Sequence, residues 1–450
     1  MEGIFQMISM VFQFAWNHLF VINVLLAITI VFFERRDPKT IWTWLLVLYF
    51  IPVLGFLRSV FSYVDTENYS YSELSNAINI HTGGISGGLG LFPDGKEYFA
   101  YICEEIQQAK EFVHIQSYII KNDELWQKLE GLLFQKVKEG VEVRILYDSM
   151  GCRSMKKSDW ERLTRNGIEI GEFFPAFFKK LHLRVNYRNH RKIIVIDGKT
   201  AYVGGFNIGR EYLGLEKKFG YWRDTHLRIQ GSSVVSLHIR FILDWNYTTK
   251  QNLFHNPKLI KEFKGGTGSD GVQIISSGPD TMNQEIRDNY QKIIGKARDH
   301  VYIQTPYFVP DEIILNEIKM AAYSGTDIKI MIPCKPDHPL VYWATYSYVG
   351  ELLDAGVRCY TYDNGFLHAK GVMSDGLVSC YGTANMDVRS FQLNFEVNAT
   401  IYSPKVTEKL EAIFEKDLEY CTEITKEIYE QRSFVIRVKE QFSRMFSFIL

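Results

Sequence analysis

The chain has 450 residues, enough for two or three ordinary domains that each bury a core. Its 51 Lys and Arg against 52 Asp and Glu leave a formal net charge of -1, which lacks the basic balance of a nucleic-acid binder. Aromatic residues make up 14% of the chain, which fits a protein that meets an apolar phase, although a large core also uses them.

Residues 1–62 read as a membrane anchor. From Val11 to Phe33 the sequence is largely apolar and carries no charge, and as a helix it spans the ~20 residues that a bilayer core requires. The charged hinge Glu34-Arg35-Arg36-Asp37-Pro38-Lys39 follows, and 40–57 is again almost wholly apolar, with Trp42, Trp44 and Tyr49 as interface-type aromatics. Neither stretch keeps the polar face of a globular helix, so two transmembrane helices are expected, at about 11–33 and 40–57. A cleaved signal peptide is not expected, because the start is not basic and no small-residue cleavage site follows.

Sidedness is contested by two signals. Three of the four nearby basic residues lie in the hinge, which favours a cytoplasmic hinge and an external main domain. The six cysteines, at 103, 152, 334, 359, 380 and 421, are scattered singly without paired or metal-like spacing. They read as buried small hydrophobes of a reducing compartment, which favours the cytoplasmic face. The cytoplasmic face is the expectation carried forward.

Residues 63–95 are polar and then Gly-rich (Gly83-Gly84-Ile85-Ser86-Gly87-Gly88) and read as a linker. A first α/β lobe is expected over 96–264: a helix from Tyr98 to Glu111, a strand from Phe112 to Tyr118, a helix from Glu124 to Lys138 and a strand from Val141 to Leu146. Phe173 to Lys180 packs four phenylalanines ahead of two lysines, a composition that suits either a dip into a lipid interface or a core strand with a turn.

The stretch Asn189-His190-Arg191-Lys192 then runs into the β-branched Ile193-Ile194-Val195-Ile196 and ends on Asp197-Gly198. In an extended strand alternate side chains share a face, so His190 and Lys192 point the same way. A neutral imidazole can attack phosphorus while an ammonium neutralises its oxygens. An Asp, from the same copy or from the other half, holds such a ring in one tautomer.

A second lobe, 265–450, repeats this order after the Gly-rich joint Lys264-Gly265-Gly266-Thr267-Gly268-Ser269. Ala109-Lys110 to Gln116 answers Ala297-Arg298 to Gln304, and Gly140 to Leu146 answers Gly325 to Met331. The motif returns as His368-Ala369-Lys370 with Asp375-Gly376, so H-x-K-x-x-x-x-D occurs twice. At the same offset Gly204 matches Gly382, and Asn207 matches Asn385. One such triplet arises easily by accident, but two in register, each followed by Gly-x-x-Asn, do not. The last segment, Arg432 to Leu450, mixes Phe434, Val435, Ile436, Val438, Phe442, Met445 and Phe446 with Arg437, Lys439 and Arg444. It suits an interfacial amphipathic helix or a helix packed on the core.

With both copies in view, the chain resembles the phospholipase D superfamily and, within it, the bacterial cardiolipin synthases. Asn186 to Lys192, Gly204 to Gly209, Tyr221 to His226, Gln304 to Phe308 and Asn394 to Asn398 carry the likeness. The resemblance implies two pseudo-symmetric α/β/α lobes behind a membrane anchor, and a catalytic set of His190, Lys192, Asp197, His368, Lys370 and Asp375. It also implies substrate-binding Asn207, Asn385 and Glu396, the last orienting either a histidine or the acceptor hydroxyl, with mere packing as the alternative to both roles. No cofactor, metal or nucleic acid is implied. The substrate class is phosphatidylglycerol in a membrane, and the oligomeric state is not specified. By this likeness His190 is the nucleophile that forms a phosphohistidine, and His368 is the acid/base. The alternatives are a phospholipase D that releases phosphatidic acid and a catalytically inert membrane scaffold. The chain departs from the pattern where Asp65, Glu67 and Glu73 replace a basic run after the second apolar stretch.

Overall fold

Short apolar runs separated by Gly turns become the strands of this chain, and amphipathic stretches between them become its helices. The computed structural model describes residues 83–174, 187–256, 259, 270–281 and 283–447. The two expected transmembrane helices, the joint at 264–269 and residues 175–186 lie outside the described residues. Among the described residues no helix is long and apolar enough to cross a membrane.

The first lobe holds β1 (Gly83–Asp94), β2 (Phe112–Ser117), β3 (Glu142–Asp148), β4 (Glu169–Phe173), β5 (Arg188–Asn189), β6 (Ile193–Ile196), β7 (Thr200–Gly204) and β8 (Trp222–Gly231). The second holds β9 (Asp270–Ser277), β10 (His300–Gln304), β11 (Phe308–Val309), β12 (Asp327–Pro333), β13 (Arg358–Tyr362), β14 (Phe366–Leu367), β15 (Gly371–Ser374), β16 (Val378–Gly382), β17 (Met386–Asp387), β18 (Asn394–Tyr402) and β19 (Cys421–Ile424). The helices are α1 (Gly95–Gln108), α2 (Glu124–Lys138), α3 (Lys157–Arg165), α4 (Ser233–Thr249), α5 (Glu285–Lys296), α6 (Glu312–Tyr323), α7 (Pro339–Asp354), α8 (Val388–Gln392), α9 (Pro404–Leu418), α10 (Lys426–Glu430) and α11 (Phe434–Arg444).

The two sheets have one topology. The first runs β4-β3-β2-β6-β7-β8-β1, parallel from β4 to β2 and antiparallel beyond. The second runs β13-β12-β10-β15-β16-β18-β9 with the same change of sense, and β19 is added beside β13. β1 pairs with β9, so the sheets continue into each other. The expected α/β architecture of two related lobes is therefore what the sequence builds.

Side chains of β6 show how the layers arise. Ile194 and Ile196 join an outer core with α1, α2 and α3, whereas Ile193 and Val195 face an inner core. That inner core also holds residues of α4 and α9 and of second-lobe strands, among them Met373, Phe395 and Val397. A third cluster under α5, α6 and α7 is the second lobe's outer core. Both faces of each sheet are covered, and the central strands are correspondingly apolar throughout.

The structure corrects one expectation and, at Phe173 and Phe174, favours the core strand of the two readings offered there. Residues from Gly83 to Asp94 are not linker: they form β1, held by β8 and β9, because the glycines offer backbone groups that both neighbours pair. Phe173 and Phe174 are core residues, 1% and 6% exposed, with ring centroids 5.2 and 5.9 Å from Phe395.

Candidate active site

Each histidine motif enters its strand through a short pairing with the opposite lobe. β5 runs parallel to the start of β18, with Arg188 opposite Asn394 and Asn189 opposite Phe395. β14 does the same against β8, with Phe366 opposite Trp222 and Leu367 opposite Arg223. The next backbone bonds are His190 N to the Phe395 carbonyl, 2.9 Å, and His368 N to the Arg223 carbonyl, 2.7 Å. Each histidine is thus held beside the next residue of the other lobe's strand, which is Glu396 for His190 and Asp224 for His368.

Those two carboxylates take the rings. His190 Nδ1 lies 2.9 and 3.0 Å from the oxygens of Glu396, and His368 Nδ1 lies 2.5 Å from Asp224 Oδ2. A carboxylate only accepts, so each Nδ1 carries the proton and each Nε2 is left for other chemistry. Glu396 is fixed by Thr383 Oγ1 at 2.5 Å and Asn394 Nδ2 at 3.2 Å, and Asp224 by the amide of Thr225 at 2.7 Å. Aromatic rings wall both imidazoles: Tyr118 stands edge-on to His190 with centroids 5.0 Å apart, and Trp222 is 5.0 Å from His368.

The lysines are tethered beside the rings. Lys192 Nζ donates to the His190 carbonyl at 2.7 Å, and Lys370 Nζ donates to the His368 carbonyl and lies 2.8 Å from its Nδ1. Burial lowers His190 to about 4, against Glu396, with both Lys192 and Lys370 adding to the drop. Burial likewise lowers His368 to about 4, with Lys370 first among its neighbours and Lys192 also felt. Burial brings Lys192 to about 7 and Lys370 to about 8. Burial opposes ionisation of Glu396 and Asp224, but His190 for the first, and Lys370 with His368 for the second, hold them below the ordinary range. Each motif feels the other's lysine, which places both in one polar site.

The motif aspartates are elsewhere. Asp197 and Asp375 sit at φ +53 and +55 in the turns that follow β6 and β15, each with a positive-φ glycine after it. The Asp197 carboxylate accepts the amides of Lys110, Glu111 and Phe112 at 2.8 to 3.0 Å, and Asp375 accepts those of Arg298, Asp299 and His300 at 2.9 to 3.0 Å. Neither holds a histidine, so the expected ring-holding and catalytic role of the motif Asp is corrected to that of a turn that caps the strand beside it. Asn207 is buried with its amide engaged by Ile119 N and Tyr212 Oη, at 3.1 and 2.8 Å. Asn385 is buried with an Oδ1 that has no partner among the described residues. Glu396 is 0% exposed and orients a ring, one of its two expected roles.

Asp224 was missed as a site residue. Its signal is the internal repeat, in which Asp224 before Thr225-His226 takes the place of Glu396 before Val397-Asn398. His226 Nδ1 accepts the amide of Phe206, at 3.3 Å, as Asn398 Oδ1 accepts those of Thr383 and Ala384, at 3.1 and 3.2 Å. Arg191 was missed too: it is 1% exposed, pairs with both oxygens of Asp244 at 2.7 Å, and reaches the carbonyls of Glu396 and Ser277 across the lobes. No group of three or more His, Cys, Asp or Glu suited to a metal ion occurs among the described residues.

Among known protein families, a model described as "Cardiolipin synthase, PLD-like domain" matches residues 102–221 and 290–418, one match per lobe. A "Phospholipase_D-nuclease N-terminal" model matches 21–57. A peptidase-associated model matches 48–124, a stretch that holds neither histidine-lysine pair. The chain is 44% identical to a cardiolipin synthase of Oceanobacillus iheyensis, over 96% of this chain and 98% of that one. It is also 44% identical to the major cardiolipin synthase ClsA of Bacillus subtilis, with the same coverage. Among solved structures, a phosphatidylserine synthase of Haemophilus influenzae shares the fold, with TM-score 0.62, 16% identity, and coverage of 85% of this chain and 100% of that one.

Proposed function

The chain belongs to the cardiolipin synthase family of phospholipase D-like proteins, and from that premise we propose that it is a membrane-bound phosphatidyltransferase joining two phosphatidylglycerols into cardiolipin and glycerol. The observation that carries this reading is the crossed pair of imidazoles, each with Nδ1 fixed by a carboxylate of the opposite lobe and Nε2 left for phosphorus.

In the first step His190 Nε2 attacks the phosphorus of one phosphatidylglycerol. The N–P bond forms and the bond to the glycerol oxygen breaks, while His368 Nε2–H gives its proton to that oxygen. Glycerol leaves and a phosphatidyl-histidine remains. In the second step the terminal hydroxyl of another phosphatidylglycerol attacks phosphorus, His368 takes its proton, and the N–P bond breaks. Lys192 and Lys370 neutralise the phosphoryl oxygens throughout. The entering phosphodiester anion, together with Asp224, favours the protonated His368 that the first step needs. The assignment of nucleophile to the N-terminal copy rests on the family likeness.

Phospholipid substrates and membrane association come with the family. Beyond that, we assign residues 1–62 to an anchor with two transmembrane helices at about 11–33 and 40–57, and the catalytic lobes, 96–264 and 265–450, to the cytoplasmic face.

Lipid analysis of membranes supplied with phosphatidylglycerol tests the reaction. Cardiolipin with one glycerol released per product is expected. Phosphatidic acid instead would make the protein a hydrolase, and unchanged lipid would leave it a scaffold.

A further inference from the structure

The helix α11 is built inside out. An amphipathic helix on a water-facing surface buries its apolar stripe and exposes its charges. Here the buried positions are Glu440 and Ser443, 1% and 2% exposed, whereas Phe434, Val435, Val438, Phe442 and Met445 are 50 to 79% exposed. The polar face is anchored by specific pairs: Glu440 with Arg432 at 3.3 Å, Arg444 with Glu351 of α7, and the Arg444 guanidinium 4.4 Å from the Tyr348 ring. The packing therefore fixes which side faces out, and that side is apolar.

The apolar face does not stand alone. Glu351 also binds Lys319 of α6 at 3.3 Å, and α6 exposes Met320 and Tyr323 at 60% and 62%. Exposed Arg437 and Lys439 accompany the α11 stripe, the latter 5.3 Å from the Trp343 ring of α7. Apolar side chains rimmed by cations match the interface of a leaflet that carries anionic headgroups. Phosphatidylglycerol and cardiolipin are such lipids.

We propose that α11 lies in the membrane interface, with Phe434, Val435, Val438, Phe442 and Met445 entering the headgroup–acyl boundary and Arg437 and Lys439 meeting anionic headgroups. The choice of a bilayer as occupant rests on the reading that the substrates are membrane phospholipids. Docking by this face keeps the second lobe on the leaflet that supplies them, independently of the N-terminal segments.

The full chain, reconstituted in vesicles of phosphatidylglycerol and phosphatidylethanolamine with a diazirine-bearing phosphatidylglycerol, tests this by photolabelling. Label is expected on residues 434–445. Replacing Val438→Glu and Phe442→Glu together should remove that label and lower the rate on vesicle phosphatidylglycerol at least about tenfold, leaving the rate on dissolved short-chain phosphatidylglycerol within about twofold. Unlabelled 434–445 in the unaltered chain overturns the proposal, as does their cross-linking to residues 11–57 or to a second copy. An unaltered chain that makes no cardiolipin from either substrate fails the functional reading alone, since the label still decides the docking.

Discussion

At the residue scale, chemistry and scaffolding are divided among the acids in a way that spacing alone conceals. In H-x-K-x-x-x-x-D the histidine and lysine stand before the four-residue strand and the aspartate after it. Five steps of rise place even the lysine about 16 Å from the aspartate, so the aspartate serves the turn. Asp197→Asn should keep the positive-φ turn, cost roughly 1–3 kcal/mol by weakening charge-assisted bonds to three amides, and leave the kcat of the folded enzyme unchanged. Asp224→Asn and Glu396→Gln should instead lower kcat by about 10²-fold or more at little cost in stability. Thermal melts and rates on the same samples separate the two outcomes.

The pH profile is also set at this scale. His190 must be neutral to attack, and with its value near 4 it loses that form as pH falls below about 4. Lys192 and Lys370 must be charged to hold phosphoryl oxygens, and they lose charge as pH rises through about 7 and 8. His368, lowered to about 4, must carry a proton in the first step, so kcat/KM on dissolved substrate should peak near pH 4 and fall above it, more steeply once the lysines lose charge above about 7. A profile still rising at pH 9 would contradict the role given to the lysines.

At the element scale, the two loops that follow β7 and β16 do the same job with different residues. A Cβ on Gly205 would sit 1.9 Å from Asp224 Oδ1, so the short acid and the glycine are matched. In the second lobe the corresponding position is Thr383, whose hydroxyl donates to the longer Glu396. Gly205→Ala should displace Asp224 and reduce kcat by at least about tenfold, whereas Thr383→Ala removes the bond to Glu396 and the one accepted from Val397 N at 2.9 Å, each worth about 1 kcal/mol, and leaves Glu396 held by Asn394. Rates that place Thr383→Ala below Gly205→Ala would reverse this account. These elements were largely legible. The helix expected at Glu124 to Lys138 ends where the structure ends it, and the repeat of helix and strand predicts the second lobe. The Gly-rich first half of β1 was not legible as strand, because it is made by pairing with β8 and β9, which lie far off in sequence.

At the scale of the whole molecule, the lobes are one folding unit in energetic terms, since the inner core draws on both and the entry strands of the two motifs are exchanged. The orienting pairs span 206 and 144 residues, a separation that no local pattern reveals. Only the alignment of one half upon the other brings Asp224 into register with Glu396. Arg223 adds a buried tie, with Nε 3.0 and 2.8 Å from the carboxylate oxygens of Asp417 on α9. Arg223→Met leaves that acid buried without its cation and should cost roughly 3–5 kcal/mol. Calorimetry should show it as a shift of a single transition for the described lobes, and separate melting of two lobes would contradict the shared core.

The most direct measurement is to trap the covalent state. The full chain, mixed with phosphatidylglycerol labelled at phosphorus and denatured under alkaline conditions within the first turnover, should carry label on the peptide that contains His190 and lose it when unlabelled phosphatidylglycerol is added before denaturation. Cardiolipin that accumulates with no phosphorus on either His190 or His368 would contradict the two-histidine site on which this account rests.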